Sequence, residues 1–346
     1  MERRQAGNQG RAAGWWQKAW RAWFGGKPRF DCLQIEVSSR CPGRCRYCPR
    51  TLPGTGTGVD MSMAVFSRLA PLLACAQRAH LQGWGEPFLN PHFFTMARMA
   101  RDAGCRVSTT TCGLSMSESQ AEAIVGAGLD VVAFSLSGTD EASNERRRGV
   151  PFTRTCQAIS TLAEIKRRRG TCEPELHLAY LLFPQEVEAL AGLPKLMTDL
   201  GITAAVVSTL AYLPDPALSE ETFAAADRIQ LERTATLLAE TAAQVERLGG
   251  QLHYHFPYAQ GEGHGCLENI GRSLFIAADG AVSPCVFINA PGAPGDPRRR
   301  VFGNISVEEP LAIWQSPQYR AFRRDLAAGH PQPPCSTCPK RFGEPC

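Results

Sequence analysis

From residue 30 to residue 208 the sequence alternates between short strand-like runs and longer helix-sized stretches, and this alternation limits the fold more than any single motif. The strand-like runs are Leu33–Val37, Arg78–Gly83, Cys105–Thr110, Val131–Leu136, Leu176–Leu182 and Ala204–Ser208. Between them lie Met61–Leu73, Phe93–Ala103, Ser117–Ala127, Phe152–Arg169 and Glu186–Leu200, each long enough for a helix. Parallel strands need a crossover of about a dozen residues or more, usually a helix, so this spacing predicts an α/β fold with a parallel sheet. Right-handed crossovers with no change of direction curl such a sheet into a partial (β/α)6, TIM-like barrel. Glu220–Leu248 then predicts a long helix leading out of this domain, with Leu252–His255 a strand beyond it.

Near residue 260 the composition changes. Gly, Pro and Cys rise, Ala290–Arg300 reads as a proline-rich loop, and helical periodicity returns only over Glu308–Ala328. A region with so little apolar core needs a staple. The predicted layout is a tail over 1–29, a barrel domain over 30–258 and a small cysteine-rich domain over 259–346.

Charge separates the tail from the rest. The chain carries +4 overall, whereas residues 1–29 hold seven basic side chains and only Glu2 as an acid, leaving the remainder slightly negative. A body of that charge is not built to grip a nucleic-acid backbone. In the tail, Trp16, Trp20 and Trp23 share one helical face, with Lys18 and Arg21 elsewhere. Such a helix packs on its own barrel, or lies at a membrane surface or against a partner.

The chain has 14 cysteines. No apolar segment of a signal peptide precedes them, and no apolar run is long enough to span a membrane. Eight of them fall in groups with metal-ligand spacing, which in a cytoplasmic protein points to metal sites rather than disulfides. Cys41, Cys45 and Cys48 form C-x3-C-x2-C just after the first strand. Three thiolates are an incomplete set for a four-iron cluster, and an iron without a protein ligand is free to bind a substrate. A zinc site with a distant fourth ligand is the other reading. Cys266, Cys285, Cys335 and Cys338 offer a complete set of four, with Cys346 as spare or alternative, and a zinc ribbon is the competing reading there. Cys32, Cys75, Cys105, Cys156 and Cys172 are scattered and read as structural.

Cys41-x3-Cys45-x2-Cys48, with Tyr47 before the third cysteine, resembles the signature of the radical S-adenosylmethionine (SAM) enzymes. Later motifs follow the family's order. Gly83-Trp84-Gly85-Glu86-Pro87 resembles its Gly-Gly-Glu-Pro segment, where backbone and glutamate hold the methionyl amino group; an ammonium needs acceptors and a close backbone approach needs glycine. Ser135 resembles the residue facing the SAM ribose, and Arg148 the arginine that pairs with the SAM carboxylate. Two positions depart from the pattern: Cys112 stands for an amide and Ser137 for an acid. Cys112 reads as a buried structural cysteine, or as a hydrogen-atom donor if it faces the substrate.

Cys266, then Gly280 and Cys285, then Cys335-x2-Cys338 is similar to a SPASM domain. Five cysteines in this region are too few for its full two-cluster form, and match the truncated twitch form with one auxiliary 4Fe–4S cluster. The resemblance implies a SAM-binding 4Fe–4S cluster, an auxiliary 4Fe–4S cluster and SAM itself. It implies a flavodoxin or ferredoxin-type reductant. The implied reaction cleaves SAM reductively to a 5′-deoxyadenosyl radical, which takes a hydrogen atom from a substrate. A peptide or protein side chain is the first choice of substrate. A small alcohol or sugar, undergoing dehydrogenation or epimerisation, is the alternative, and an electron carrier or scaffold is the non-enzymatic one.

Overall fold

The computed structural model describes residues 28–52, 55, 58–114, 116–210, 216–224, 226–254, 256, 266–291 and 299–341. Its strands are β1 (Cys32–Ile35), β2 (Arg78–His80), β3 (Arg106–Thr111), β4 (Val131–Leu136), β5 (Glu175–Leu182), β6 (Ala204–Thr209), β7 (Gln251–Tyr254), β8 (Ser273–Ile276), β9 (Ala281–Ser283) and β10 (Gly303–Asn304). They form one sheet in the order β10-β9-β8-β1-β2-β3-β4-β5-β6-β7. From β1 to β7 every neighbouring pair is parallel and in chain order. This is the expected unclosed barrel.

The two faces of the strands differ. In β4, Val132, Phe134 and Leu136 are buried, and in β5 so are Leu176, Leu178, Tyr180 and Leu182. Their alternate neighbours are half-buried, or exposed at Glu175. Successive side chains point to opposite faces of a strand. The fully buried set includes Leu162 and Ile165 of the covering helix Phe152–Arg169 in the same core. The half-buried set includes Ser135, Ala179 and Leu181, which line the cavity on the concave side.

Four helices depart from expectation, and proline explains the first two. The stretch Met61–Leu73 is split into Met63–Ser67 and Ala70–Leu73. Pro71 has no N–H for the Ser67 carbonyl, and its ring crowds that turn. Ser62 still caps the first piece, its Oγ accepting from Val65 N at 3.2 Å. Likewise Glu186–Leu200 becomes a 3-10 segment, Pro184–Gly192, and a short α-helix, Leu193–Asp199, with Pro194 in its first turn. The third departure is one of direction. The helix Arg228–Arg247, capped by Asp227, returns to the sheet, and β7 pairs with β6 through Ala205↔Leu252. The helix therefore does not leave the domain, and the run of parallel strands in chain order reaches seven rather than six.

At the other edge β8 lies parallel to β1, Leu33 opposite Leu274, and β9 and β10 continue antiparallel. The cysteine-rich region thus extends the barrel's own sheet. Its two helices, Pro310–Gln315 and Pro317–Ala327, meet at Ser316 and replace the single stretch expected over Glu308–Ala328. An aromatic group packs there: Trp314 meets Phe30 edge-on at 4.9 Å, joining this region to the start of β1. The tryptophan-rich tail lies outside the described residues, apart from its last two positions. Among the described residues no helix is long and apolar enough to cross a membrane.

Candidate active site

The loop after β1 is held from both sides. The Arg40 guanidinium binds Asp60 through Nε at 3.0 Å and donates to the Leu89 carbonyl at 2.9 Å. Arg50 donates to the Cys41 carbonyl at 3.3 Å, and Cys48 N–H to the Cys45 carbonyl at 3.0 Å. The loop is thereby folded back on itself. Cys41, Cys45 and Cys48 all line one cavity of about 310 Å³, together with Tyr47, Gly83, Trp84, Gly85, Glu86 and Ser135.

The Gly83–Pro87 segment is wedged against the strand that carries the cysteine loop. A Cβ on Gly85 would run into the Ser38 carbonyl, and one on Gly83 into the Glu36 side chain. Only glycine permits that approach. Glu86 N–H donates to the Arg40 carbonyl at 2.7 Å. Its carboxylate is buried and accepts from Thr111 Oγ1 at 2.8 Å, Cys112 N at 2.8 Å and Phe88 N at 3.3 Å. A carboxylate has about four acceptor sites, so one remains for a ligand. Trp84 reaches the other way, its indole N–H donating to the Val286 carbonyl at 3.2 Å.

The remaining expected residues sit as follows. Tyr47 packs on Phe183 with ring centroids 5.2 Å apart. Ser135 Oγ donates to the Thr111 carbonyl at 3.4 Å. Pro87 is buried at the start of the turn Pro87–Leu89, next to the cavity lining but not part of it. Arg148 ends the helix Glu141–Arg148, and its side chain lies outside the described residues. Cys112 is buried and also lines the cavity, so it faces the site and the core together.

Several site residues carry no motif. Ala179, Leu181, Ser208 and Thr209 come from the C-terminal ends of β5 and β6. The topology alone points to them, because barrel sites form at that end of the strands. Gln82 and Arg50 flank the two loops, while Phe287 and Lys340 enter from the cysteine-rich region. Glu36 was also missed. It is buried on the chain leaving β1, accepts from Trp84 N at 2.7 Å and Ala278 N at 3.2 Å, and burial pushes its carboxyl up to about 7.

The electrostatics of the thiols differ within the loop. A hydrogen bond from Cys112 and another from the Gly43 N–H lower the Cys41 thiol to about 7. Burial raises that of Cys48 to about 12. Iron binding displaces a thiol proton, so a buried neutral cysteine becomes a ligand at the expense of that proton.

The second group converges from distant parts of the chain. Cys285 and Cys338 each feel the charge of other cysteines or of their neighbour Glu268, and Cys335 feels Cys338 and Cys266. Backbone N–H groups face the sulfurs: Glu268 and Ile270 toward Cys266, Ile288 and Phe287 toward Cys285, Lys340 toward Cys338. Burial raises all four thiols, Cys335 to about 11. Cys346 lies outside the described residues. Cys105 is structural, donating to the Leu73 carbonyl at 3.4 Å.

Both groups fit iron–sulfur clusters. Thiols backed by N–H donors suit anionic sulfur. Among the described residues no three His, Cys, Asp or Glu side chains converge as they would around one metal ion. A four-iron cube needs a wider set, because each thiolate meets a different iron.

Comparison with known proteins agrees. Residues 35–189 match the family model of the radical SAM superfamily, and residues 266–339 match SPASM, an iron–sulfur cluster-binding domain. A tungsten-containing aldehyde ferredoxin oxidoreductase cofactor-modifying protein of Pyrococcus furiosus is 23% identical over 320 residues, covering 89% of this chain and 87% of that one. A PqqA peptide cyclase of Ruegeria pomeroyi is 28% identical over 262 residues, covering 73% and 67%. In fold, the chain resembles Streptococcus suis SuiB bound to precursor peptide SuiA, with a TM-score of 0.66 at 14% identity over 93% of this chain and 73% of that one. It also resembles native anSMEcpe with bound AdoMet, with a TM-score of 0.63 at 16% identity over 90% and 89%. The motifs, the unclosed barrel and both matched regions converge: the chain carries a radical SAM domain over residues 35–189 and a C-terminal SPASM iron–sulfur domain over residues 266–339.

Proposed function

We propose that this radical SAM enzyme modifies a peptide or protein side chain. The observation that carries the reading is one cavity of about 310 Å³ bounded by Cys41, Cys45 and Cys48 on one side and by Phe287 and Lys340 of the SPASM region on another. The relatedness to PqqA peptide cyclases supports a peptide substrate.

When bound, the reduced cluster at Cys41, Cys45 and Cys48 supplies the electron that cleaves SAM to methionine and a 5′-deoxyadenosyl radical. The protein positions and shields. Glu86 and the Gly83–Gly85 backbone accept from the SAM amino group, with Pro87 fixing the turn. Tyr47 and Trp84 cover the cofactor, Ser135 faces its ribose and Arg148 pairs with its carboxylate. The apolar side chains of Leu181 and Phe287 exclude water from the radical. Cys266, Cys285, Cys335 and Cys338 hold one auxiliary 4Fe–4S cluster, with Cys346 as the alternative ligand. In this layout the tail is 1–29, the catalytic barrel 30–258 and the auxiliary domain 259–346. A flavodoxin or ferredoxin-type protein in the cytoplasm provides electrons, and the basic tail docks on a membrane surface or partner.

The test is anaerobic reconstitution with iron and sulfide, then incubation with SAM and dithionite. The expected products are 5′-deoxyadenosine and methionine, with turnover raised by a short peptide encoded beside the gene and a mass change in that peptide. The relatedness to a cofactor-modifying protein favours a second reading, a small-molecule substrate. Turnover stimulated by a small metabolite and by no peptide would establish that reading instead.

A further inference from the structure

The side chain of Trp84 joins the Gly83–Pro87 segment to the SPASM region. It lines the cavity, and its indole N–H donates at 3.2 Å to the carbonyl of Val286, 202 residues further along the chain. Its ring meets Phe287 edge-on, with centroids 6.1 Å apart. It packs in an apolar group with Phe275, Ala277, Ala281 and Val286, all within the matched SPASM region and separate from the main core.

The place of that contact in the chain is what matters. Val286 and Phe287 directly follow Cys285, one of the four cysteines assigned to the auxiliary cluster. The Val286 carbonyl also accepts from the Asn289 N–H at 3.1 Å, closing the turn Phe287–Asn289. The indole therefore binds the closing carbonyl of a turn that begins beside a ligand. A second contact runs from the Trp84 main-chain N–H through the Glu36 carboxylate to the Ala278 N–H. Ala278 lies between β8 and β9, which are held by pairing with β1 and with each other. Of the two contacts, the one at Val286 is the one next to a cysteine of the cluster.

We propose that Trp84 couples the two sites. Iron bound at Cys285 fixes the Val286 turn, the turn holds the indole, and the indole holds Gly83–Pro87 in the conformation that accepts SAM. This rests on the readings that Gly83–Pro87 holds SAM and that the four C-terminal cysteines hold a cluster. Trp84 acts here through the segment rather than through its own contact with SAM, and is in that role a positioning residue. A segment already ordered loses less freedom when its ligand binds, so affinity rises. The coupling is reciprocal: each site, when filled, favours filling of the other. One net hydrogen bond is involved, which corresponds to roughly 3- to 10-fold in SAM affinity.

The test measures the equilibrium Kd of radiolabelled SAM on the anaerobically reconstituted full chain, with iron and sulfide counted in every sample. Four proteins form a cycle: the parent, Cys335→Ala with Cys338→Ala, Trp84→Phe, and all three changes together. In the parent background, emptying the auxiliary site should raise Kd roughly 3- to 10-fold. Trp84→Phe keeps an apolar ring and removes the N–H, and in that background the same emptying should change Kd little. A merely structural role for Trp84 would weaken SAM binding without removing its dependence on the auxiliary iron. Should Trp84→Phe fail to load iron, 3-benzothienylalanine at 84 keeps the bicyclic ring and lacks only the N–H, and it takes the same place in the cycle. An equal fold-change in both backgrounds overturns the proposal, as does an unchanged Kd when the auxiliary site of the parent is emptied. Absence of C-terminal iron in the parent overturns the auxiliary-cluster reading, and absence of SAM binding to the parent overturns the SAM-site reading.

Discussion

The two cysteine groups solve different problems with the same chemistry. Cys41, Cys45 and Cys48 come from one short loop and open into a cavity. Cys266, Cys285, Cys335 and Cys338 are gathered from three separate segments, and burial raises every one of their thiols. The loop spends its geometry on access, leaving one corner of a cluster for a ligand. The distributed set spends its geometry on closure, tying together three segments that lie far apart in the chain. Access and stability should therefore separate under mutation.

The largest effect is expected at the loop. Replacing Cys41, Cys45 or Cys48 by alanine should abolish 5′-deoxyadenosine formation and remove about half of roughly eight irons, while thermal unfolding of the chain changes little. A parallel fall in stability would erase the distinction between the groups. Conversely, Cys335→Ala with Cys338→Ala should remove the other half of the iron and destabilise the C-terminal region by roughly 2–5 kcal/mol, the range for losing a covalent staple. Denaturant unfolding of the reconstituted proteins measures this directly.

Glu36 sits between the two groups, so it tests whether they are mechanically joined. One carboxylate oxygen faces Trp84 N–H on the SAM-loop side and the other faces Ala278 N–H on the SPASM side. Burial raises its pKa from the ordinary 4.5 to about 7. The native state then binds more protons than the unfolded state between those values, so stability is fully present below the lower one and falls as pH rises through the higher. The total loss is about 3 kcal/mol. Glu36→Gln should remove that slope, at the cost of one hydrogen bond, since its amide N–H2 must confront a backbone N–H. Urea unfolding at several pH values compares the two proteins, and an unaltered slope in Glu36→Gln would show that the titration belongs elsewhere.

How much of this was legible follows from the range of each interaction. The parallel strands show in the sequence because their signal is local: β4 and β5 carry an apolar face that repeats every second residue. The break at Pro71 is local too, but a continuous amphipathic pattern masks it. The return of Arg228–Arg247 to the sheet is not local, since nothing in that helix says where the following strand will pair. The cysteine loop and the Gly83–Pro87 segment are legible as motifs because their chemistry demands particular residue types at fixed spacing. Glu36, Phe287 and Lys340 carry no such signature. Phe287 and Lys340 become part of the site only when β8 pairs with β1 and brings the SPASM region against the barrel.

Lys340 gives the smallest and most discriminating test of that docking. It lines the cavity, holds Glu268 at 2.8 Å and lies 4.9 Å from the Phe287 ring centroid. Glu268 in turn is felt by Cys285 and Cys338. One side chain therefore touches the cavity and the surroundings of the auxiliary cysteines together. Both members of the pair are mostly sheltered from solvent, so the interaction is worth about 1 kcal/mol. Lys340→Met keeps the length and the contact with Phe287 while removing the charge. It should cost about 1 kcal/mol of stability and leave the iron content unchanged. Its larger consequence should be on substrate: a raised KM with little change in kcat means that the ammonium meets the substrate in the cavity. A fall in iron content would instead place Lys340 in the support of Cys338, and so on the closed side of the comparison.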